Sequence, residues 1–305
     1  MTRDLVGYGR AHPVVAWPHG ARVAISIVVH FEEGAESTPL NGDPFVENAT
    51  EGILIDQVSQ VGGRRRDERI ESMYEYGARC GFWRLADILD ACEVKATFFC
   101  AGQAVERNAT VAREIVTRGH EACGHGYRWL PYHAFSKEEE AEDIRKGLEA
   151  VEKATGQRPL GWHSRAATPR TRSLLLEAGG LLYDSDSYGD DLPYFAKTDS
   201  GQTMLTLPYN TDVNDDKFWM PPPAAGFTNP DAFFGVMKAT FDRLWTEGGT
   251  HPKMMSIGLH LRISGRPARA KQIERFVHYA RGFPGVWFAR RVDIARWWLK
   301  HGPRP

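Results

Sequence analysis

The chain has 305 residues, of which 42% are hydrophobic, enough for the core of one large α/β barrel or of two ordinary domains. Its 38 basic and 39 acidic side chains leave a net charge of −1, so no broad basic field exists to attract nucleic acid. No apolar run reaches about 18 residues, and the N-terminus lacks the apolar stretch of a secretory signal. We therefore expect a cytoplasmic protein that does not bind membranes.

Short apolar runs alternate with segments of helical periodicity along the whole chain. The runs predicted to be strands are residues 21–30, 95–100, 119–124, 160–162, 181–183, 204–207 and 254–259. The segments predicted to be helices are residues 73–92, 110–118, 137–155, 170–178, 230–247 and 267–281. This alternation predicts parallel strands joined by crossover helices, in a barrel or an open doubly wound sheet. No linker divides the sequence, so residues 1–305 are predicted to form one domain.

Two turn-rich segments interrupt the alternation. Residues 34–69 directly follow the first predicted strand, and so long a connection is more typical of a lid or a subunit contact than of a tether. Residues 188–226 are predicted to be a second irregular stretch. The first loop and the pair Trp297 and Trp298 offer contact surface, from which we expect a homo-oligomer, although packing of a terminal helix explains the tryptophans equally well.

Polar residues follow the predicted strands at their carboxyl ends, where parallel α/β folds gather their functional groups. They lie in residues 30–34, 125–129, 163–165, 184–188 and 260–262. Imidazoles and carboxylates at such positions are the groups that activate water and protonate leaving groups. Any one of them alone is more often a capping or structural residue, but five coincident segments favour an active site.

Two glutamates occupy the end of the first predicted strand. Because adjacent residues on a strand face opposite ways, Glu32 and Glu33 enter the same site only if the chain bends there, and Gly34 permits that bend. Two carboxylates in one site would raise one pKa and leave a base that works nearer neutral pH. One glutamate would then activate water while the other orients it.

Several of these strings resemble the ordered motifs of the polysaccharide deacetylases. The strings are Phe31-Glu32-Glu33-Gly34, residues 119–125, Asp184-Ser185-Asp186 and Leu259-His260. Longer strings, including residues 4–10, 71–79, 125–129, 183–188 and 190–194, are similar to the bacterial allantoinase branch of that family, which hydrolyses a ring amide of allantoin. The resemblance implies a distorted seven-stranded β/α barrel.

The resemblance also implies catalytic roles. It places the general base on Glu32 and the general acid on His260, with Glu33 and His125 holding water or substrate. Family members normally carry a metal on the second acidic residue and on two histidines four residues apart, but here Trp129 replaces the second histidine. The allantoinase branch has the same replacement, which implies catalysis without a tightly bound metal or other cofactor.

A weakly bound divalent ion such as zinc stays open as an alternative. A zinc site needs three or four ligands, so one glutamate and one histidine are too few unless His133, His163 or Asp186 joins them.

Several residues are candidates for substrate contacts. Fixed donors must stabilise an oxyanion, and Arg165, His163 or backbone N–H groups could supply them. Trp129 could form a wall for a flat polar ring, as could Tyr127 or Trp162, with ordinary core packing as the competing interpretation. Asp186 or its neighbour Asp184 could orient His125 or an arginine, and pairing with carboxylates is the favoured role of Arg262 and Arg266.

Three functions compete on this sequence. The leading hypothesis is a hydrolase of a small cyclic ureide or imide, such as the conversion of allantoin to allantoate in purine catabolism. The alternative is a metal-dependent deacetylase of an N-acetylated sugar or polysaccharide, which the missing second histidine disfavours. The third is a catalytically dead barrel that serves as a binding or assembly module.

Overall fold

The computed structural model of the protein describes residues 4–47, 66–219 and 229–303. It confirms the predicted α/β barrel-type fold, a curled and largely parallel sheet covered by helices. The strands are β1 (Val23–Phe31), β2 (Thr97–Cys100), β3 (Glu121–Gly124), β4 (Gly161–Trp162), β5 (Tyr183–Asp184), β6 (Tyr194–Lys197), β7 (Thr203–Thr206), β8 (Lys253–His260) and β9 (Val286–Phe288).

The strand order curls the sheet around a central β1. The order is β6-β7-β5-β4-β3-β2-β1-β8, with β9 paired to the first residues of β1 and β2 to its last. All pairs are parallel except the β6–β7 hairpin. Beyond β7 the chain forms a parallel bridge from Asn214 to Gly258, so the segment after β7 lies against β8 at the far edge of the sheet. The carboxyl ends of the parallel strands therefore surround one opening.

Helices connect these strands on the outside. They are α1 (Glu68–Tyr76), a π-helix (Gly77–Gly81), α2 (Phe82–Ala91), α3 (Gly102–Arg107), α4 (Ala109–Thr117), α5 (Lys137–Thr155), α6 (Thr171–Ala178), α7 (Asp216–Trp219), α8 (Pro230–Glu247), α9 (Leu261–Ser264), α10 (Pro267–Arg281) and α11 (Arg291–His301). No helix in these described ranges is long and apolar enough to cross a membrane.

Local sequence signals explain where α5 begins and ends. Ser136 accepts a hydrogen bond from the N–H of Glu139, whose side chain accepts one from the N–H of Ser136, which completes a capping box. Gly156 ends the helix in the left-handed conformation at φ 74°. Every residue of β1 is buried, as expected for a strand between the barrel interior and its helices.

The π-helix lies close to the opening of the barrel. Its first and last glycines pack against α9, which directly follows β8. A Cβ atom on Gly77 would lie 2.3 Å from Glu33 Oε1, and one on Gly81 would lie 2.2 Å from the carbonyl oxygen of Leu261. Only glycine allows this close approach, so the π-helix forms a backbone wall behind the end of β1.

Some predicted boundaries were wrong. The single helix predicted over residues 73–92 is divided by the π-helix, and the stretch 188–226 contains β6 and α7 in addition to β7, which matches the strand predicted over residues 204–207. The sequence reading also missed β9, α3 and α11. Residues 48–65 of the predicted lid and residues 220–226 lie outside the described residues.

Candidate active site

Four strand ends bring four histidines together at the opening of the barrel. His30 is on β1, His125 follows β3, His163 follows β4, and His260 ends β8. Each is at most 4% exposed. The rings of His30 and His260 stack with centroids 4.2 Å apart, and those of His125 and His163 lie parallel at 5.3 Å. The convergence predicted from the sequence therefore occurs.

Glu32 lies at the centre of this group. Its Oε1 is 2.9 Å from His30 Nδ1, 3.3 Å from His125 Nε2 and 3.7 Å from His260 Nε2. Its Oε2 accepts a hydrogen bond of 2.7 Å from Arg262 Nη1. Burial alone would raise the pKa of Glu32, but Arg262 and His260 outweigh it and hold that pKa well below its usual range. Glu32 is thus an ionised, fully buried carboxylate.

His260 is held by a second carboxylate. Asp215 Oδ1 lies 2.7 Å from His260 Nδ1, and Asp215 Oδ2 accepts from the backbone N–H of His260 at 2.8 Å. Burial lowers the pKa of His260, but Asp215 and Glu32 outweigh it and raise the pKa above the usual value. The charged form of this imidazole is therefore favoured, with Nε2 facing Glu32.

His30 differs from its stacked neighbour in charge. Burial lowers the pKa of His30 well below its usual range, and the adjacent His260 acts in the same direction. Its Nε2 lies 2.8 Å from the hydroxyl of Tyr209, which also accepts from Asn214 Nδ2 at 3.0 Å. Because Asn214 fills an acceptor site on Tyr209, the hydroxyl proton is free to be donated to His30.

The proton on His125 can be assigned from its partner. His125 Nδ1 lies 2.7 Å from the backbone carbonyl oxygen of His163, which can only accept a hydrogen bond. Nδ1 therefore carries a proton. In neutral His125 the unprotonated Nε2 then faces Glu32, with His30 Nδ1 3.4 Å away.

Glu33 does not join the four histidines. Its Oε2 accepts from the backbone N–H of Glu32 at 3.0 Å, and its Oε1 lies against Gly77 with no hydrogen-bond partner among the described residues. Gly34 has the expected left-handed φ of 98°, but this turn comes after Glu33, so the strand alternation persists through both glutamates. Burial raises the pKa of Glu33 to about 8.

Trp129 and Arg165, both predicted to contact substrate, lie together. The guanidinium of Arg165 stacks 3.8 Å from the centre of the Trp129 ring, and that of Arg262 lies 5.2 Å from it. Arg165 also binds both oxygens of Glu47, at 2.6 and 2.9 Å. The guanidinium of Arg165 is thus bound to a carboxylate and stacked on an indole. It is not the free donor for an oxyanion that the sequence had suggested.

Asp186 contacts His163 rather than His125. Its Oδ1 is 3.0 Å from His163 Nδ1, and its oxygens accept from the N–H and the hydroxyl of Ser164. Asp184 instead pairs with Arg172 at 2.9 Å. Of the two roles predicted for this acidic pair, the structure shows the arginine contact.

The positions at which the family carries a metal do not fit one here. The Glu33 carboxyl faces Gly77, and Trp129 supplies no ligand atom beside His125. Glu33, His125 and Trp129 therefore do not form a metal site in this chain.

Four residues near Glu32 were absent from the predicted site. His30 and Arg262 stood in the polar segments at strand ends, and a pairing role was favoured for Arg262, which its contact with Glu32 confirms. Asp215 and Tyr209 lie in the connection after β7, where no periodicity marks them. The bridge from Asn214 to β8 is a long-range contact that sequence spacing does not encode.

Comparisons with known proteins assign the class. A family profile described as Polysaccharide deacetylase matches residues 62–176. A Schizosaccharomyces pombe protein that carries the polysaccharide deacetylase name is 36% identical over 322 residues, covering 99% of this chain and 98% of its own. The chain belongs to the polysaccharide deacetylase family.

Two solved structures resemble the fold over its whole length. A probable polysaccharide deacetylase from Pseudomonas aeruginosa PAO1 is 43% identical, with a TM-score of 0.92 and full coverage of both chains. PuuE allantoinase is 42% identical, with a TM-score of 0.90 and coverage of 100% of this chain and 99% of its own. The chain is thus about equally similar to structures that carry either name.

Proposed function

We propose that the protein hydrolyses a carbon–nitrogen bond in the ring of a small cyclic amide, with allantoin or a related cyclic ureide or imide as substrate. The observation that carries the proposal is the pairing of an ionised Glu32 with a charge-favouring His260, whose nearest atoms are 3.7 Å apart. A base and an acid are thus poised side by side. The 42% identity to PuuE allantoinase supports a cyclic amide as the substrate class.

The first step uses Glu32 as the base. Glu32 Oε1 takes a proton from water, and the water oxygen forms a bond to the ring carbonyl carbon, whose π electrons move onto oxygen. Arg262, whose Nη1 lies 2.7 Å from Glu32 Oε2, supplies a fixed positive charge beside the base. We assign electrostatic stabilisation to Arg262 in place of Arg165, since Arg165 is bound to Glu47.

The second step uses His260 as the acid. The tetrahedral intermediate collapses, its carbon–nitrogen bond breaks, and the ring nitrogen receives the Nε2 proton of His260. Asp215 keeps the imidazole oriented throughout. The proton held by Glu32 can then return to His260 across their 3.7 Å separation, which restores both groups. The product is a ring-opened carboxylic acid.

Trp129 and Arg165 suit a flat polar substrate. A planar ureide or imide ring can stack on an indole or guanidinium plane while its edges form hydrogen bonds. We assign substrate positioning to this pair, and to His163, which stacks on His125 and contacts Asp186.

The second candidate is hydrolysis of an N-acetyl group on a sugar. It is favoured by the name of the Pseudomonas aeruginosa structure. Like ring opening, it breaks an amide carbon–nitrogen bond. A Helicobacter pylori peptidoglycan deacetylase is also similar, at 23% identity over 83% of this chain and 96% of its own. The unsuited ligand positions Glu33 and Trp129 argue against a deacetylase that depends on the family's metal.

A substrate panel separates the two candidates. Purified protein is incubated with allantoin, hydantoin, dihydrouracil and succinimide, and separately with N-acetylglucosamine oligomers, and both ring-opened acids and acetate are quantified. Ring opening without acetate release is expected. Acetate release alone would transfer the assignment to the deacetylase, and no turnover of any compound would favour the binding-module hypothesis.

A further inference from the structure

We propose that His30, Glu32 and His125 form a binding site for a divalent ion of the zinc type, built from a residue set that differs from the family's metal positions. Their ligand atoms are His30 Nδ1, Glu32 Oε1 and His125 Nε2, separated by 2.9, 3.3 and 3.4 Å. A tetrahedral zinc ion with bonds of about 2.0 Å needs ligand atoms about 3.3 Å apart. The three atoms thus already have the spacing of one face of such a tetrahedron.

The outer contacts of both imidazoles allow their lone pairs to point inward. His125 donates Nδ1–H to the backbone carbonyl of His163, which leaves Nε2 as the free ligand atom. For His30 to ligate through Nδ1 it must take the other tautomer, in which Nε2–H donates to the Tyr209 hydroxyl oxygen 2.8 Å away instead of accepting from it, so ion binding reverses that hydrogen bond. Metal-binding histidines typically donate their second N–H to an oxygen in this way. Two imidazoles and one carboxylate are also the donor set of known catalytic zinc sites.

Arg262 limits how tightly the ion binds. Its guanidinium holds Glu32 Oε2 at 2.7 Å, so a positive charge is already present beside the carboxylate that the ion would share. Two cations near one buried carboxylate repel each other. We therefore expect weak, exchangeable binding in the native protein and binding about tenfold tighter or more in Arg262→Gln.

Cobalt provides a readout that does not depend on turnover. Protein freed of metal by a chelator, which is then removed, is titrated with Co²⁺, and absorption in the visible range is recorded. We expect a tetrahedral cobalt spectrum in the native protein that rises with excess Co²⁺ along a one-site curve, and a spectrum in Arg262→Gln that saturates at a lower Co²⁺ concentration. The spectrum should be lost in His30→Asn and in His125→Asn.

Two matched variants control for other histidines and for folding. His163→Gln removes a buried imidazole of the same cluster that is outside the ligand set, and His120→Asn removes one outside the cluster. Both should keep the cobalt spectrum, and circular dichroism should show every variant folded. A spectrum that survives in His30→Asn, or no spectrum in native protein and Arg262→Gln alike, would overturn the site.

The effect of the ion on turnover is a separate measurement and rests on the proposed function. The ion would occupy Glu32 Oε1, the oxygen assigned as the base, so Zn²⁺ should slow ring opening and a chelator should restore it. If Zn²⁺ binds with the expected dependence on His30 but raises turnover, the binding site stands. The assignment of Glu32 as the base would then be wrong.

Discussion

Two clusters of buried polar residues lie inside the barrel. The upper cluster, at the carboxyl ends of the strands, consists of Glu32, Arg262 and three histidines, His30, His125 and His260. The lower cluster consists of Glu121, Thr97 and Tyr183, the first residues of β3, β2 and β5, and of Arg291, whose guanidinium binds Ser185 and Leu207. Each contains a buried glutamate and a buried arginine, so that pair alone does not mark an active site.

Their hydrogen bonds do tell them apart. In the lower cluster Glu121 accepts from the Thr97 hydroxyl at 2.7 Å, from the Tyr183 hydroxyl at 2.9 Å and from the N–H of Val292 at 2.9 Å. Arg291 binds the hydroxyls of Ser185 and Ser256 and the carbonyls of Leu207 and Pro208. No side-chain polar atom of these four cluster members lacks a partner among the described residues.

The upper cluster instead holds titratable neighbours and unused atoms. Arg262 Nε has no partner among the described residues, nor does Oε1 of the adjoining Glu33. The partners of Glu32 are imidazoles that can gain or lose protons, whereas those of Glu121 are hydroxyls and a backbone N–H. A fully bonded buried acid stabilises a fold, and an acid among groups that exchange protons is available for chemistry.

The largest effect is expected when the two glutamates are exchanged for glutamine in turn. Glu32→Gln removes the base and should lower kcat/KM for the best cyclic amide by about 10³-fold, within the range typical of general base catalysis. Glu121→Gln is the matched control and should change kcat/KM less than about threefold, because Glu121 contacts no upper-cluster residue. Steady-state kinetics measure both, and equal losses would erase the distinction between the clusters.

Glu33 tests whether an acid beside the upper cluster costs stability. The unfolded chain releases this proton near a pKa of 4.5, while the folded protein keeps it until about 8. The unfolded state therefore binds fewer protons across that interval, so stability falls as pH rises from 4.5 to 8. Glu33→Gln should remove this loss and gain about 2 to 3 kcal/mol over the native protein between about pH 5.5 and about pH 7.5.

Denaturant unfolding at both pH values provides the measurement for Glu33. The comparison between native protein and variant cancels the contributions of the other titratable groups. A constant difference in unfolding free energy at the two pH values would show that Glu33 is ionised in the folded state.

A smaller effect is expected from Asp215→Asn. The loss of this negative charge lowers the pKa of His260, since Asp215 is the foremost group that raises it against burial. The alkaline limb of the pH–rate profile should move to lower pH, and kcat should fall roughly 10- to 100-fold, as for other partners that orient an imidazole. An unshifted limb accompanied by lower kcat would mean that His260 is not the acid.

The sequence predicted most of what local physics controls. The strand β1 and the helices α5, α8 and α10 follow directly from burial, periodicity and capping. Three histidines of the site, His125, His163 and His260, were also predicted, since they follow apolar strands that must run parallel. The family resemblance added the fold and the pairing of Glu32 with His260.

The remaining features depend on contacts distant in the chain. The Glu33 side chain faces away from the four histidines because the turn at Gly34 comes after both glutamates. From the sequence alone, Glu33 could have faced towards the site or away from it. Asp215 reaches His260 only because the segment after β7 bridges to β8. Arg165 forms an ion pair with Glu47, which lies in a loop more than 100 residues earlier in the chain. No local sequence pattern indicates such a long-range pair.

The backbone wall that the π-helix forms behind the end of β1, together with the adjoining Gly265, restricts how the pocket could be re-engineered. Cβ atoms at Gly77, Gly81 and Gly265 would lie within 2.3 Å of Glu33, Leu261 or one another's backbone, so mutant libraries at these positions should yield mainly inactive or unfolded clones. The Trp129 ring instead has the arginine side chains Arg165 and Arg262 as neighbours, and side chains can adjust where backbone cannot. Directed evolution toward larger rings should therefore succeed by trimming the indole side and fail when it targets the glycines.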